Sequence, residues 1–283
     1  GHRRPAMVGG PSAGCRRVVG VVAGIGVERV ARGAWRGGWG DGTLATRGCL
    51  EPNALNEGGG QIGSSSGAAP GGGEAVVHPG MANLEPAVRV ERFSLWYGER
   101  QVLRGADLIV PAGAITALMG PANCGKSSLL RSVNRLNDLI EEVRTEGDIR
   151  LYGQSVYDAA VDVEGVRQRI GMVFKKPNAF PMSVYENAVY GLRLAGERSK
   201  GVLDERCERA LRLAALWDEF RERLHESALS LTRGQRQRLC VARAVAVEPD
   251  ALLLDEPFAG LDAMATARLE EVLHRLKRRC AVL

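Results

Sequence analysis

Nine residues, Gly120-Pro-Ala-Asn-Cys-Gly-Lys-Ser-Ser128, restrict the fold of this chain more than any other stretch of it. They fit the spacing G-x-x-x-x-G-K-[ST] at Gly120, Gly125, Lys126 and Ser127. The apolar run Ala114 to Met119 before them reads as a buried strand. After them, Leu129, Val133, Leu136 and Ile140 recur at helical spacing. Strand, glycine loop, helix is the context in which this spacing makes a phosphate cradle. Glycine lets backbone amides close on an anion, and the helix N-terminus adds its dipole. Lys126 is expected to bridge β- and γ-phosphates and the Ser127 hydroxyl to hold Mg²⁺. The candidate nucleotide-binding loop is Gly120, Pro121, Ala122, Asn123, Cys124, Gly125, Lys126, Ser127 and Ser128.

A second stretch completes that chemistry. Ala251-Leu-Leu-Leu-Asp-Glu256 is four apolar residues followed by two acids. A buried strand that delivers carboxylates to its C-terminal edge puts them where α/β sheets bind ligands. Asp255 is expected to hold the Mg²⁺ shell with Ser127, and Glu256 to act as general base on the attacking water. Alone such a strand end is common; following a phosphate loop it becomes specific.

Composition changes along the chain. Residues 1–80 carry 22 of the 36 glycines, including Gly58-Gly-Gly60 and Gly71-Gly-Gly73, a bias that does not build a packed core. Residues 1–86 therefore read as a Gly/Arg-rich low-complexity extension, expected to be disordered. It is either sequence upstream of a start at Met81 or a tether. Residues 1–80 hold eight Arg against five acids, and the remainder 30 basic against 28 acidic side chains. No basic stripe with interleaved aromatics appears, so no nucleic-acid partner is expected despite the pI of about 9.0. The six cysteines (15, 49, 124, 207, 240 and 280) show no metal-ligand spacing and read as free thiols. The run Val18 to Val27, behind Arg16-Arg17, faintly resembles a signal-peptide core. It is glycine-broken and too short to span a membrane.

From Val88 onward the pattern is that of an α/β domain over 87–283. Val88, Val90 and Phe93 to Tyr97 read as a strand, followed by Ala106 to Val110, with Pro111-Ala-Gly113 as a turn. Gly147 to Tyr152 and Ile170 to Phe174 add strands. Residues 183–224 are helical, and Leu269, Val272, Leu273 and Leu276 share one face of a last helix. Cys280 to Leu283 reads as a further strand at its beginning.

Leu231-Thr-Arg-Gly-Gln235, just ahead of a helix through Arg238, Leu239 and Ala242, brings out a family resemblance. The chain resembles the ABC ATPases, which read L-S-G-G-Q here. The resemblance covers about 88–283. It implies a P-loop NTPase fold: a RecA-like core, an antiparallel β subdomain and an inserted helical subdomain at about 177–233. It implies a C-terminally truncated domain too. Thr232, Arg233, Gly234 and Gln235 would clamp the γ-phosphate of ATP held by a second copy in a head-to-tail homodimer. Tyr97 would stack on adenine, Lys175 occupies the glutamine-loop position, and Asp262 matches the loop after the acidic strand.

Further matches narrow the resemblance to the ATPase subunits of phosphate-specific (Pst) importers. They include Asn134-Arg-Leu-Asn-Asp-Leu139, Pro177-Asn-Ala-Phe-Pro-Met-Ser183, Tyr185-Glu-Asn187, Ala214-Ala-Leu-Trp-Asp218 and Gln237-Arg-Leu-Cys240. Several lie in the helical insert, which in that family docks on membrane subunits. The resemblance implies ATP and Mg²⁺ as ligands, and two membrane permease subunits and a phosphate-binding protein as partners. It implies a peripheral position on the cytoplasmic face of the inner membrane.

Four positions depart from the pattern. Lys175 replaces a metal-contacting glutamine; an ammonium cannot ligate a cation, although it can approach a phosphate as a point charge. Arg233 replaces a glycine, and a side chain there is strained by about 1 kcal/mol or more if φ is positive. Asn123 replaces a loop glycine, the mildest change because Asn tolerates left-handed backbone. No switch histidine follows the last strand: His2 and His78 lie in the extension, and His225 and His274 on expected helices. Two alternatives stay open at this point: a nucleotide-binding module that does not hydrolyse ATP, and an ABC ATPase serving another cargo.

Overall fold

The computed structural model describes residues 21–23 and 85–283. The extension expected over 1–86 lies outside the described residues except at those positions, as do Cys15, Cys49, His2 and His78. A short strand β1 (Val21–Ala23) pairs antiparallel with β4 (Thr116–Leu118).

Strands β2 (Pro86–Tyr97) and β3 (Arg100–Pro111) form a hairpin closed at Tyr97 and Arg100. Gly98 turns it, at φ 55. The sheet continues through β5 (Val143–Leu151) to β6 (Gln154–Ser155), all antiparallel, in the order β3-β2-β5-β6. Val88 and Val90 alternate inward as period-2 patterning requires. The register then shifts at Glu91–Arg92, where Arg92 takes φ 46, and the inward face resumes at Phe93 and Leu95. This is the antiparallel subdomain expected from the sequence.

The second sheet is parallel, in the order β7 (Ile170–Val173), β8 (Ala251–Leu254), β9 (Ala281–Val282). Every residue of β8 is buried, because both faces are covered. Ala251 and Leu253 point into a core shared with α1 (Lys126–Val133) and the antiparallel sheet. Leu252 and Leu254 point into a core shared with α3 (Val184–Leu194), α4 (Lys200–Leu213), α6 (Arg233–Val245) and α7 (Ala263–Leu276). Leu269, Val272, Leu273 and Leu276 of α7 are buried together, as their spacing predicts. The helix α2 (Val163–Arg169) leads into β7 and has no counterpart in the sequence reading; its signal is Asp162, whose side chain caps Glu164 and Gly165.

Three expectations need correction. The run Ala114 to Met119 is not a fully buried strand: only Thr116–Leu118 is extended in a ladder, Ile115 bridges Val282, and Met119 is exposed. The helix after the phosphate loop does not run on to Ile140. It stops at Val133, because Arg135 turns left-handed at φ 59 and its carbonyl accepts from Arg167 at 2.9 Å. A 3₁₀ turn, Leu136–Leu139, follows, and Leu139 and Ile140 face solvent. His225 is not helical either; it sits in a turn after α5 (Trp217–Phe220), beside the Tyr185 ring.

Candidate nucleotide site

The phosphate loop turns tightly between β4 and α1. Gly125 caps the helix at φ 98, and a Cβ there would stand 2.7 Å from Leu103 Cδ2. That position therefore demands glycine on both conformational and steric grounds. Asn123 takes φ 62, within the range that asparagine tolerates. Lys126 folds back over its own loop, donating to the Gly120 carbonyl at 2.9 Å and the Pro121 carbonyl at 2.8 Å. Its Nζ also lies 3.7 Å from the thiol of Cys124, which is buried.

Ser127 and Asp255 meet. The Ser127 hydroxyl donates to Asp255 Oδ1 at 2.8 Å across 128 residues of sequence. The Asp255 backbone N–H donates to the Val173 carbonyl at 2.9 Å, which fixes the end of β8 to β7. Asp255 is only 8% exposed, so its carboxylate faces into this corner. A hydroxyl and a carboxylate are hard oxygen donors, the set Mg²⁺ takes when phosphates supply the rest of its shell. No group of three or more His, Cys, Asp or Glu among the described residues could hold a metal by itself. The residues present thus fit a metal that arrives with a nucleotide.

Glu256 follows Asp255 at φ 45. Lys175 Nζ lies 2.5 Å from Glu256 Oε2, and both side chains are about half exposed, at 55% and 50%. The hydrogen bond from Lys175 holds the Glu256 carboxyl below the usual carboxylate range, with smaller attraction from Lys175 and Lys126. The sequence excludes Lys175 as a metal ligand and allows it to approach a phosphate; the structure sets it on the Glu256 carboxylate. The two residues follow adjacent parallel strands in register, Val173 beside Leu254, so both emerge at one sheet edge.

Tyr97 ends β2, packs partly against the antiparallel core and donates to Asn137 Oδ1 at 3.0 Å. Asn137 is fully buried and donates to the Ser128 carbonyl at 2.9 Å and to Ser132 Oγ at 2.8 Å. It ties the aromatic position to the helix behind the phosphate loop. The sequence assigns it no role of its own; its signal is its place in the segment Asn134–Leu139 that carries the family resemblance.

Thr232, Arg233, Gly234 and Gln235 start α6 in a reciprocal capping box. Gln235 N–H donates to Thr232 Oγ1 at 3.3 Å, and Thr232 N–H to Gln235 Oε1 at 2.9 Å. The strain expected at Arg233 is absent, because Arg233 is the first residue of the helix and its φ is not positive. Its guanidinium lies back on its own chain, donating to the Ala259 carbonyl at 2.9 Å and covering Gly260. Gly234 allows α7 to approach: a Cβ on it would be 2.7 Å from Ala265 Cβ. Asp262 caps α7, accepting from Ala265 N–H at 2.7 Å.

Two polar centres behind these loops escaped the sequence reading. Glu219 accepts from Gln235 at 2.8 Å, Arg238 at 2.9 Å and Arg268 at 3.1 Å. Burial pushes its carboxyl up, but the bonds from Gln235 and Arg238 bring the net shift down. Gln237, buried on α6, donates to the Phe174 carbonyl at 3.3 Å, so the backbone just before Lys175 is pinned from α6. Arg243 holds the segment after it, donating to Asn178 Oδ1 at 2.8 Å and stacking 4.0 Å from the Phe180 ring centroid. These residues come from elements far apart in sequence, so spacing alone gave no sign of them. A cavity of about 600 Å³ lies in the helical insert, lined by Tyr185, Arg193, Asp204, Trp217, Leu224 and His225 among others.

The ABC transporter family matches residues 103–259. The phosphate import ATP-binding protein PstB of Colwellia psychrerythraea is 47% identical over 218 residues, 76% of this chain and 78% of that protein. The phosphate import ATP-binding protein PstB 1 of Vibrio vulnificus is 52% identical over 196 residues, 69% and 72% of the two chains. Among solved structures, cbiO1 from Clostridium perfringens, part of the ABC transporter complex cbiONQ, superposes with a TM-score of 0.60. It is 24% identical and covers 70% of this chain and 77% of its own. A bacterial Atm1-family ABC exporter with ATP bound gives a TM-score of 0.56 at 24% identity, covering 70% and 34%. Those two structures speak to the fold, the ABC ATPase architecture. The phosphate loop, the acidic strand end joined to it and the near-half identity place the chain plainly: it belongs to the ABC transporter family, among the phosphate import ATP-binding proteins.

Proposed function

We propose that this chain is the ATP-binding subunit of a phosphate importer, an ATPase whose turnover drives phosphate through a membrane transporter. The 47% identity over 218 residues to a phosphate import ATP-binding protein carries this reading. The contact between Ser127 and Asp255 supports its chemistry. Lys126 exchanges the Gly120 and Pro121 carbonyls for β- and γ-phosphate oxygens, a change to stronger, charge-assisted bonds. Ser127 and Asp255 would hold Mg²⁺. The metal supplies charge neutralisation on the phosphate oxygens. Glu256 orients the attacking water and takes its proton. By resemblance, Tyr97 stacks on adenine, and Thr232, Arg233, Gly234 and Gln235 complete the site of a second copy in a head-to-tail homodimer, with Asp262 beside them.

The partners follow from the same family. Two membrane permease subunits dock on the helical insert, where the cavity beside Tyr185 and His225 offers a surface, and a phosphate-binding protein delivers the cargo. No helix among the described residues is long and apolar enough to cross a membrane. By family resemblance, the chain attaches peripherally to the cytoplasmic face of the inner membrane. The relatives do not favour a chain that binds ATP without turning it over. Phosphate uptake by a bacterium lacking its own phosphate import ATPase tests the reading. This chain should restore uptake and its Lys126→Ala variant should not; equal uptake with both variants contradicts it.

A further inference from the structure

Lys175 reaches Glu256 from a fixed base. The backbone before it is tied down by Gln237 at the Phe174 carbonyl, and the segment after it by Arg243 at Asn178. The side chain itself is about half exposed, and among the described residues its ion pair is with Glu256 alone. A lysine arm on a pinned backbone can change its anion without moving the fold.

Its surroundings say which anion. Glu256 follows Asp255 directly, and Asp255 accepts from Ser127 at the start of the phosphate-loop helix. Lys175 is therefore one ion pair and one residue away from the corner where the terminal phosphate and its metal would sit. An exposed ion pair is weak, and a phosphate oxygen is a stronger partner for a charged donor. The difference decides the direction of exchange.

On the reading of this loop as an ATP site, we infer that Lys175 recognises the γ-phosphate, leaving Glu256 when a nucleoside triphosphate binds and remaining on it when a diphosphate binds. It is a specificity-determining residue for triphosphate over diphosphate, and its departure frees the Glu256 carboxylate to receive the attacking water. The exchange requires no breakage beyond one ion pair and no co-reactant.

Calorimetric titration of the full chain with Mg²⁺ and either the β,γ-imido analogue of ATP or ADP tests this, on wild type, Lys175→Met and Lys175→Arg. Lys175→Met should weaken binding of the imido analogue by about tenfold or more, the loss of a charged donor to phosphate. ADP binding should stay within about twofold. Lys175→Arg, which keeps the charge, should retain the preference. Equal weakening for both nucleotides marks a structural role and overturns the inference, as does no weakening for either. If wild type binds neither nucleotide, the ATP-site reading falls and the inference with it, an outcome distinct from the other two.

Discussion

Lys126, Ser127 and Asp255 show how a few side chains carry the site. Lys126 satisfies its charge on two loop carbonyls, and these are neutral acceptors that a phosphate oxygen outcompetes. Lys126→Ala should therefore weaken ATP binding by roughly ten- to a hundredfold, the worth of a charged hydrogen bond. Titration calorimetry checks this, and unchanged affinity would remove Lys126 from the site. These three residues were legible because their spacing and their strand and helix flanks are local in sequence. The Lys175–Glu256 pair was not, since it forms only once β7 and β8 lie side by side. The conformation at Arg233 stayed open in the sequence for a related reason. Whether φ is positive depends on where the helix starts, and the capping box starts it at Arg233.

At the scale of elements, α6 organises the insert and the loops around it. Its first turn meets α7 through Gly234, where an added Cβ would stand 2.7 Å from Ala265 Cβ. Gly234→Ala should destabilise the fold by about 1–3 kcal/mol from overpacking, less up to about 1 kcal/mol gained in helix propensity. Ala265→Gly should recover part of the packing loss. Urea denaturation of the two single variants and the double variant reads the coupling; a more stable Gly234→Ala protein would contradict the close approach. Glu219 joins Gln235, Arg238 and Arg268, and Arg238 is only 3% exposed. Because the Glu219 carboxyl is depressed in the folded protein, its contribution is full above the unfolded glutamate value near ~4.3 and is lost as pH falls through the lower folded value. Glu219→Gln should thus lower the melting temperature at neutral pH, and the gap to wild type should close on acidification. A gap that widens in acid would reverse the sign. Helix and strand identity was legible from periodicity, but ends were set by tertiary bonds. The Arg167 bond to the Arg135 carbonyl at the end of α1 is one, and periodicity cannot report it.

At the scale of the molecule, a parallel sheet with both faces buried separates the antiparallel subdomain and α1 from the helical insert with α6 and α7. The architecture was legible because a continuously apolar strand such as Ala251–Leu254 implies cover on both faces. Site and insert are joined through α6, which touches the Phe174 carbonyl with Gln237 and Asn178 with Arg243. That arrangement suits a protein in which events at the γ-phosphate reach a docked membrane partner. On the proposed function, this chain turns over ATP through Glu256, with Mg²⁺ held at Ser127 and Asp255. Steady-state release of inorganic phosphate from ATP tests it most directly, on wild type and Glu256→Gln, with and without Mg²⁺. Wild type should release phosphate in an Mg²⁺-dependent way, and the variant should fall by about 10²-fold or more, the scale for removing an acid–base group. ATP bound by wild type with release no faster than Glu256→Gln would contradict it.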